Sequence, residues 1–194
     1  MSSPPSLILA STSRYRAELL SRLRLPFETA SPGIDEMPRT GEDGPVMCVR
    51  LAKEKARAVA ERFPQAVVIG SDQCAVRDEA VLGKPGDHAT ACWQLLAASG
   101  RCVDFHTAVC VREPAGAEHV FTDMTRVRFR VLDADEVHRY VDAEQPLDCA
   151  GSFKVEGLGI SLFQAVESRD PTALIGLPLI QLGDCLRQLG YALP

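Results

Sequence analysis

Residues 66–70 read AVVIG, an unbroken apolar run bounded by a glycine. A strand without a polar face has no solvent side, so this segment belongs in the middle of a sheet covered on both faces. Such a sheet needs helices around it, and the flanking sequence supplies them. Ser71, Asp72 and Gln73 stand where the run ends, polar groups at the end of a buried strand.

Residues 7–10, LILA, predict a first short strand, and the hydroxyls Ser11, Thr12 and Ser13 after it are good helix caps. Leu19, Leu20 and Leu23 then recur at helical spacing, and 25–30 reads as a second strand. From 31 to 45 the chain shows turn residues and no apolar period, a long loop of the kind that usually carries function. Val46, Val49, Ala52, Ala56, Val59 and Phe63 mark one face of a helix about five turns long, with Lys53 and Lys55 off that face. After a hairpin to Val81 and the turn GKPGD, a helix is expected over 87–98, its inner side including Ala91, Trp93, Leu95 and Leu96. Residues 102–112 and 118–131 predict a long antiparallel pair. DADE opens a capped helix over 134–142, a glycine-rich stretch follows, and a strand near 160–164 and a helix over 178–189 finish the chain. The order implies an α/β fold: a single mixed-sheet domain spanning 1–194, with two lobes around a central cleft.

Composition removes several classes of function. No apolar run approaches the roughly 18 residues of a membrane span, and the start lacks the basic and apolar segments of an export signal. A net charge of −5 argues against a surface that coats nucleic acid. Seven scattered cysteines without a C-x-x-C pair are expected to be reduced and mostly buried, as in the cytoplasm. The four histidines include no H-x-x-x-H pair, so a zinc site is not expected, and any metal should be hard and oxygen-bound.

Small anions are a different matter. A strand that ends in hydroxyls and a helix start presents free backbone N–H groups and a positive dipole end, and Arg14 and Arg16 add charge there. Neither a Walker loop nor a dinucleotide glycine motif is present. Asp72 in IGSDQ, Lys84 in GKP, and Lys154 and Glu156 in GSFKVEG complete a set that is ordinary member by member and informative together.

That set resembles the Maf-like nucleoside triphosphate pyrophosphatases. Their pattern of S-x-S-x-x-R, a D-E pair, L-A-x-x-K-A, G-[SA]-D, G-K-P and A-G-x-[FY] stands here as Ser11 to Arg16, Asp35-Glu36, LAKEKA with Lys55, Gly70-Ser71-Asp72, Gly83-Lys84-Pro85 and Ala150-Gly151-Ser152-Phe153. The order holds over nearly the whole chain. GSDQ and AGSFKVEG are most similar to the branch acting on 7-methyl-GTP. One departure is that Ala17 replaces the second of two adjacent arginines and Arg14 stands where proline is common, which leaves open which arginine holds which phosphate.

The resemblance implies a Maf and inosine-triphosphatase-like fold and hydrolysis of the triphosphate between its α- and β-phosphates. It implies phosphate binding by Ser11, Ser13, Arg14, Arg16, Lys55, Lys84 and Lys154, a divalent ion (Mg²⁺ or Mn²⁺) on Glu36 and Asp72, and water activation by Asp72. Tyr15, Gln73 and Glu156 fall on the base-selecting positions. N7-methylation makes guanine cationic, so an aromatic face and a carboxylate suit it. The partner is then a small nucleotide, with no nucleic acid or membrane, and the family likeness allows a homodimer. A dTTP/UTP pyrophosphatase and a nucleotide-binding regulator of division with incidental turnover remain the alternatives.

Overall fold

The computed structural model describes residues 4–194. Met1 to Ser3, part of the start read for an export signal, lie outside the described residues. In chain order the elements are β1 (Leu7–Ala10), α1 (Arg14–Ser21), β2 (Glu28–Thr29), α2 (Gly44–Ala60), β3 (Val67–Arg77), β4 (Ala80–Leu82), α3 (His88–Ala98), β5 (Cys102–Arg112), β6 (Glu118–Phe129), α4 (Ala134–Glu144), β7 (Phe163–Glu167) and α5 (Leu179–Gln188). Short 3₁₀ turns occur at Ala150–Ser152, Leu158–Leu162 and Ala173–Ile175. Caps explain most helix starts: Ser13, Asp43, Asp87 and Asp133 each accept a first-turn amide, and Glu136 completes a capping box with Asp133. None of these helices is long and apolar enough to cross a membrane.

The strands form one mixed sheet in the order β2-β1-β3-β5-β6-β7, with β4 paired to β3. β1 is parallel to both neighbours, and the pairings from β3 through β7 are antiparallel. The chain leaves β1 in one direction through α1 to β2 and returns through α2 to β3 on the other side. Right-handed crossovers in opposite directions put the two helices on opposite faces. Leu19 and Leu20 of α1 accordingly pack with Leu7, Leu9, Val67, Ile69 and α5 residues, while Ala52, Ala56 and Val59 of α2 pack with Ile8, Ala10 and Val68. The far halves of β3, β5 and β6 carry a third core with α3 and α4, which includes Phe105, Phe129 and Phe153 in edge-to-face contact.

Gly70 sets how closely α2 approaches β3. A Cβ there would lie 2.2 Å from the Ala52 carbonyl oxygen and 2.7 Å from the Ala56 nitrogen, so backbone meets backbone across small residues. This contact brings Lys55, between those alanines, onto the buried face.

The structure corrects several expectations. Lys55 is 4% exposed, whereas Val46, expected on the inner face, is exposed; the face is fixed by the Gly70 contact and runs through Met47, Cys48, Leu51, Ala52, Ala56 and Val59. The apolar run of 66–70 is only the first half of an 11-residue strand, so Asp72 lies within β3 instead of ending it. Trp93 is 61% exposed and Leu96 also faces outward, because the helical period that buries Ala91, Leu95 and Ala98 turns both away. The strand expected over 25–30 shrinks to two residues, since it is an edge paired only with the short β1 and contains Pro26, which lacks an amide donor. The last strand starts at Phe163, its expected first residues being wound into a 3₁₀ turn whose Ser161 and Leu162 carbonyls accept from Arg130.

Gly70→Ala is expected to force α2 away from β3, lowering stability by about 1–3 kcal/mol or more. Urea unfolding measures it; an unchanged midpoint would show that the helix does not rest on this glycine.

Candidate active site

β1 pairs with Val67 to Gly70 of β3, and β4 pairs with Ala75 to Arg77. Between them, on the same side of β3, Ser71 to Cys74 have an open edge. Successive side chains of this stretch point to opposite faces, so Asp72 turns toward α2 while Ser71 and Gln73 turn toward the 170–178 segment. The gap lies at the carboxyl end of β1, where the chain departs in two directions, the place where open α/β sheets form their crevices.

A cavity of about 1060 Å³ opens there. Its wall includes Ser11, Ser13, Arg14, Tyr15, Arg16, Glu36, Lys55, Asp72, Gln73, Lys84 and Glu156, eleven of the twelve residues singled out by the sequence. Phe105, Phe153, Leu174 and Ile175 supply apolar wall.

Its electrostatic centre is Lys55. The ammonium donates to Asp72 Oδ1 at 2.7 Å and lies 3.0 Å from Glu36 Oε1. Lys55 and Asp72 are buried, and a buried charge of either sign is tolerable only with such a partner. Two carboxylate oxygens from different segments therefore converge on one point. Hard oxygen donors of this kind fit Mg²⁺ or Mn²⁺. Beside Asp72, its neighbour Cys74 together with burial pushes the Cys48 thiol up, so this sulfur stays protonated.

At the start of α1, Ser13 Oγ accepts the Arg16 amide, and the Arg14 and Tyr15 amides have no acceptor among the described residues. Arg14 donates to the Tyr15 hydroxyl at 2.8 Å and lies 4.8 Å from the ring centroid. Arg16 Nε and Ser71 Oγ both donate to the Gly176 carbonyl, at 3.0 and 2.9 Å. That carbonyl is positioned by buried Asp170, whose carboxylate accepts from the Thr172 and Ile180 amides. Gln73 Nε2 donates to Thr107 Oγ1 and to the Ala173 and Leu174 carbonyls. Three acceptors around this atom fix the amide's orientation and leave only its oxygen for a ligand.

On the opposite wall one side chain ties two motifs together. Gln94 of α3 donates to the Gly83 carbonyl and accepts from Ser152 Oγ, linking the Gly83-Lys84-Pro85 turn to the segment that carries Glu156. Gly151 adopts φ +74°, and a Cβ there would press within 2.9 Å of the Phe105 ring. Asp148 and Cys149 also line the cavity; burial beside Asp148 pushes the Cys149 thiol up to about 12, which makes it neutral wall.

Lys154 is the exception. Its ammonium donates to the Glu144 and Gln145 carbonyls at the end of α4, and it does not line the cavity. Unpaired carbonyls at a helix C-terminus are a natural cation site, so this lysine holds α4 to the loop.

Sequence reasoning passed over Thr107, Gln94 and Gly176, whose hydrogen bonds join segments distant in the chain, and Asp170, whose carboxylate organises the backbone of its own loop at Thr172 and Ile180. The clamp on the 31–43 loop was equally hidden. Arg50 of α2 grips Glu42 through two nitrogens at 2.6 Å, reaches Glu54 at 3.0 Å and donates to the Met37 carbonyl, pinning the loop that carries Glu36.

A family model described as Maf-like protein matches residues 6–189. A 7-methyl-GTP pyrophosphatase of Xanthomonas oryzae pv. oryzae is 58% identical over 190 residues, covering 98% of this chain and 100% of that protein. A 7-methyl-GTP pyrophosphatase of Pseudomonas aeruginosa is 53% identical over 191 residues, with 98% and 100% covered. Among solved structures, a HAM1 protein from Coxiella burnetii superposes with a TM-score of 0.53 at 14% identity, over 95% of this chain and 99% of that one, a likeness of fold alone.

The Glu42 clamp has a defined pH signature. Hydrogen bonds from Arg50 hold the Glu42 carboxyl down to about 2 from its ordinary 4.5. Since the folded value is the lower one, its contribution to stability is complete above about pH 4.5 and is lost as pH falls toward 2. Glu42→Gln is therefore expected to flatten the fall of thermal midpoint across that window. Equal slopes for both proteins would remove the clamp from the description.

Proposed function

This chain belongs to the Maf-like family, and on that footing we propose that it hydrolyses 7-methyl-GTP to 7-methyl-GMP and diphosphate. The observation that carries the reading is one cavity that joins a cationic, amide-rich floor to an aromatic ring and a carboxylate. A nucleoside triphosphate needs the first, and a cationic purine needs the second. The names of the relatives in Xanthomonas oryzae and Pseudomonas aeruginosa support the choice of base.

On this reading the free amides of Arg14 and Tyr15, the hydroxyls of Ser11 and Ser13 and the charges of Arg16, Lys55 and Lys84 hold the phosphates. Arg16 is aimed by the Gly176 carbonyl, so its remaining guanidinium nitrogens are presented in a fixed direction. Glu36 and Asp72 hold a divalent ion, which when bound offsets the charge that builds on the phosphate oxygens. Asp72 takes a proton from the attacking water. The α–β anhydride bond breaks, the water oxygen stays on the nucleotide side, and diphosphate leaves with the bonding pair. Lys55 keeps the two carboxylates together until substrate arrives, and then has anionic oxygens of its own to meet.

The base stacks on the face of Tyr15 that Arg14 leaves open, since two cations do not share one face of a ring. Glu156 accepts from the guanine N1–H and N2–H₂ edge, and Gln73 offers only its amide oxygen. Free nucleotides are cytoplasmic, and so is the enzyme on this reading.

Release of diphosphate from 7-methyl-GTP, GTP, dTTP and UTP with Mg²⁺ tests the proposal. 7-Methyl-GTP should be preferred; equal rates on all four would refute base selection, a preference for dTTP and UTP would assign the other branch, and orthophosphate as first product would refute the cleavage position. Asp72→Asn should lower turnover roughly 10²–10⁴-fold while keeping an acceptor for Lys55. Very slow wild-type turnover with tight binding would instead favour a regulator. Tyr15→Ala should cut the preference for 7-methyl-GTP over GTP by roughly 30-fold, the loss of about 2 kcal/mol of cation–π attraction.

A further inference from the structure

Outside the cavity, α3 and α4 face each other across a cluster of three metal-ligating side chains. His88 and Cys92 stand four residues apart on α3, and His138 meets them from α4. The Cys92 sulfur is 3.6 Å from His88 Nδ1 and 3.5 Å from His138 Nδ1, and all three ligand atoms lie within 4.8 Å of one another. Zinc bonds nitrogen at about 2.0–2.1 Å and sulfur at about 2.3 Å, so tetrahedral angles require an N···S edge of about 3.6 Å. Both N···S separations already have that length.

The surroundings are also those of a metal ligand set. His88 Nε2 lies 2.8 Å from Asp142 Oδ1, one turn along α4 from His138. A carboxylate there keeps the ring proton on Nε2 and turns the Nδ1 lone pair toward the sulfur, the arrangement that orients histidines on zinc. The two imidazoles are stacked, with centroids 5.7 Å apart and planes 19° from parallel. Cys92 is buried, so the thiolate side is screened from water, whereas His138 is exposed and leaves room for a fourth, exogenous ligand.

We propose that His88, Cys92 and His138 bind one late first-row divalent ion of the zinc type, with Asp142 as the partner that orients His88 and water in the fourth position. H-x-x-x-C in one helix plus a histidine 46 residues further on is not a recognisable zinc spacing, which is why the sequence argued against such a site. The donors are softer than the carboxylates of Glu36 and Asp72, so the two sites select different ions. The ion releases the thiol proton and staples α3 to α4. α3 begins just after the Lys84 turn, and α4 ends just before the Asp148 to Glu156 wall, so the staple braces the lobe that carries both.

The test uses the full chain freed of metal by a chelator. Zn²⁺ is titrated against a chromophoric competitor, and Co²⁺ serves as a spectroscopic probe. Expected are one equivalent of Zn²⁺ bound, a rise in thermal midpoint, and with Co²⁺ both four-coordinate visible bands and thiolate charge transfer. Cys92→Ser should abolish the charge transfer and weaken Zn²⁺ by at least about 100-fold, and Asp142→Asn should weaken it about 10–100-fold with the charge transfer kept. His138→Gln, at an exposed position, should also lose the ion while circular dichroism stays native, separating loss of a ligand from loss of fold. Failure of the wild-type chain to bind Zn²⁺, or binding that survives both Cys92→Ser and His138→Gln, would overturn the proposal and leave only thiol–imidazole hydrogen bonds. Mg²⁺-supported turnover should be unaffected by Cys92→Ser.

Discussion

A buried ammonium must be met by carboxylates, and Lys55 is met by two from segments far apart in the chain. Much of the architecture is needed to satisfy that one charge. α2 has to lie backbone to backbone on β3, which requires glycine at 70, where a Cβ would meet the Ala52 oxygen and the Ala56 nitrogen. β3 has to run on past β1, so that Asp72 is inside a strand and yet at an edge with no neighbouring strand. The 31–43 loop has to be pinned by Arg50 so that Glu36 completes the pair. The same three conditions build the floor of the cavity.

The sheet explains why the other wall stays in register with this floor. β3 and β5 are each 11 residues long and β6 is 12; β3 and β5 pass through all three cores, and β6 through the one beneath α1 and α5 and the one beneath α3 and α4. A cavity whose two sides share continuous strands is defined by the pleat itself. Asp72 and Gln73 are adjacent in sequence and reach it from opposite faces, each held by a different layer: Asp72 by Lys55 of α2, Gln73 by carbonyls of the Ala173–Ile175 turn. Gln94 does the equivalent service across the cleft.

Much of this was legible beforehand, and what was not has physical causes. Apolar runs and caps located β1, α1, α4 and α5 well, because these signals are local, whereas they marked only the first half of β3. The hydroxyl-rich start of α1 and the collinear motifs gathered eleven of the cavity's residues without any geometry. The apolar period of 46–63 admits two registers for Lys55, and the Gly70 contact that chooses the buried one is made by another element. A lysine beside a glycine-rich loop reads as a phosphate ligand, and the carbonyls that the end of α4 offers Lys154 become visible only in the fold. Asp170 acts locally, on the Thr172 and Ile180 amides, without any motif that marks it, whereas the cluster between α3 and α4 needs His138 to be brought to Cys92 from 46 residues away.

The most direct measurement is a crystal structure with a 7-methyl-GTP analogue whose α–β bridging oxygen is replaced by methylene. The triphosphate should lie over the Arg14 and Tyr15 amides with an oxygen within hydrogen-bonding distance of Lys55, and the purine should sit between the Tyr15 ring and the Glu156 carboxylate. A nucleotide bound elsewhere, for instance in the shallow hollow beside Arg57 and Arg112, or one whose base turns away from Tyr15, would contradict it.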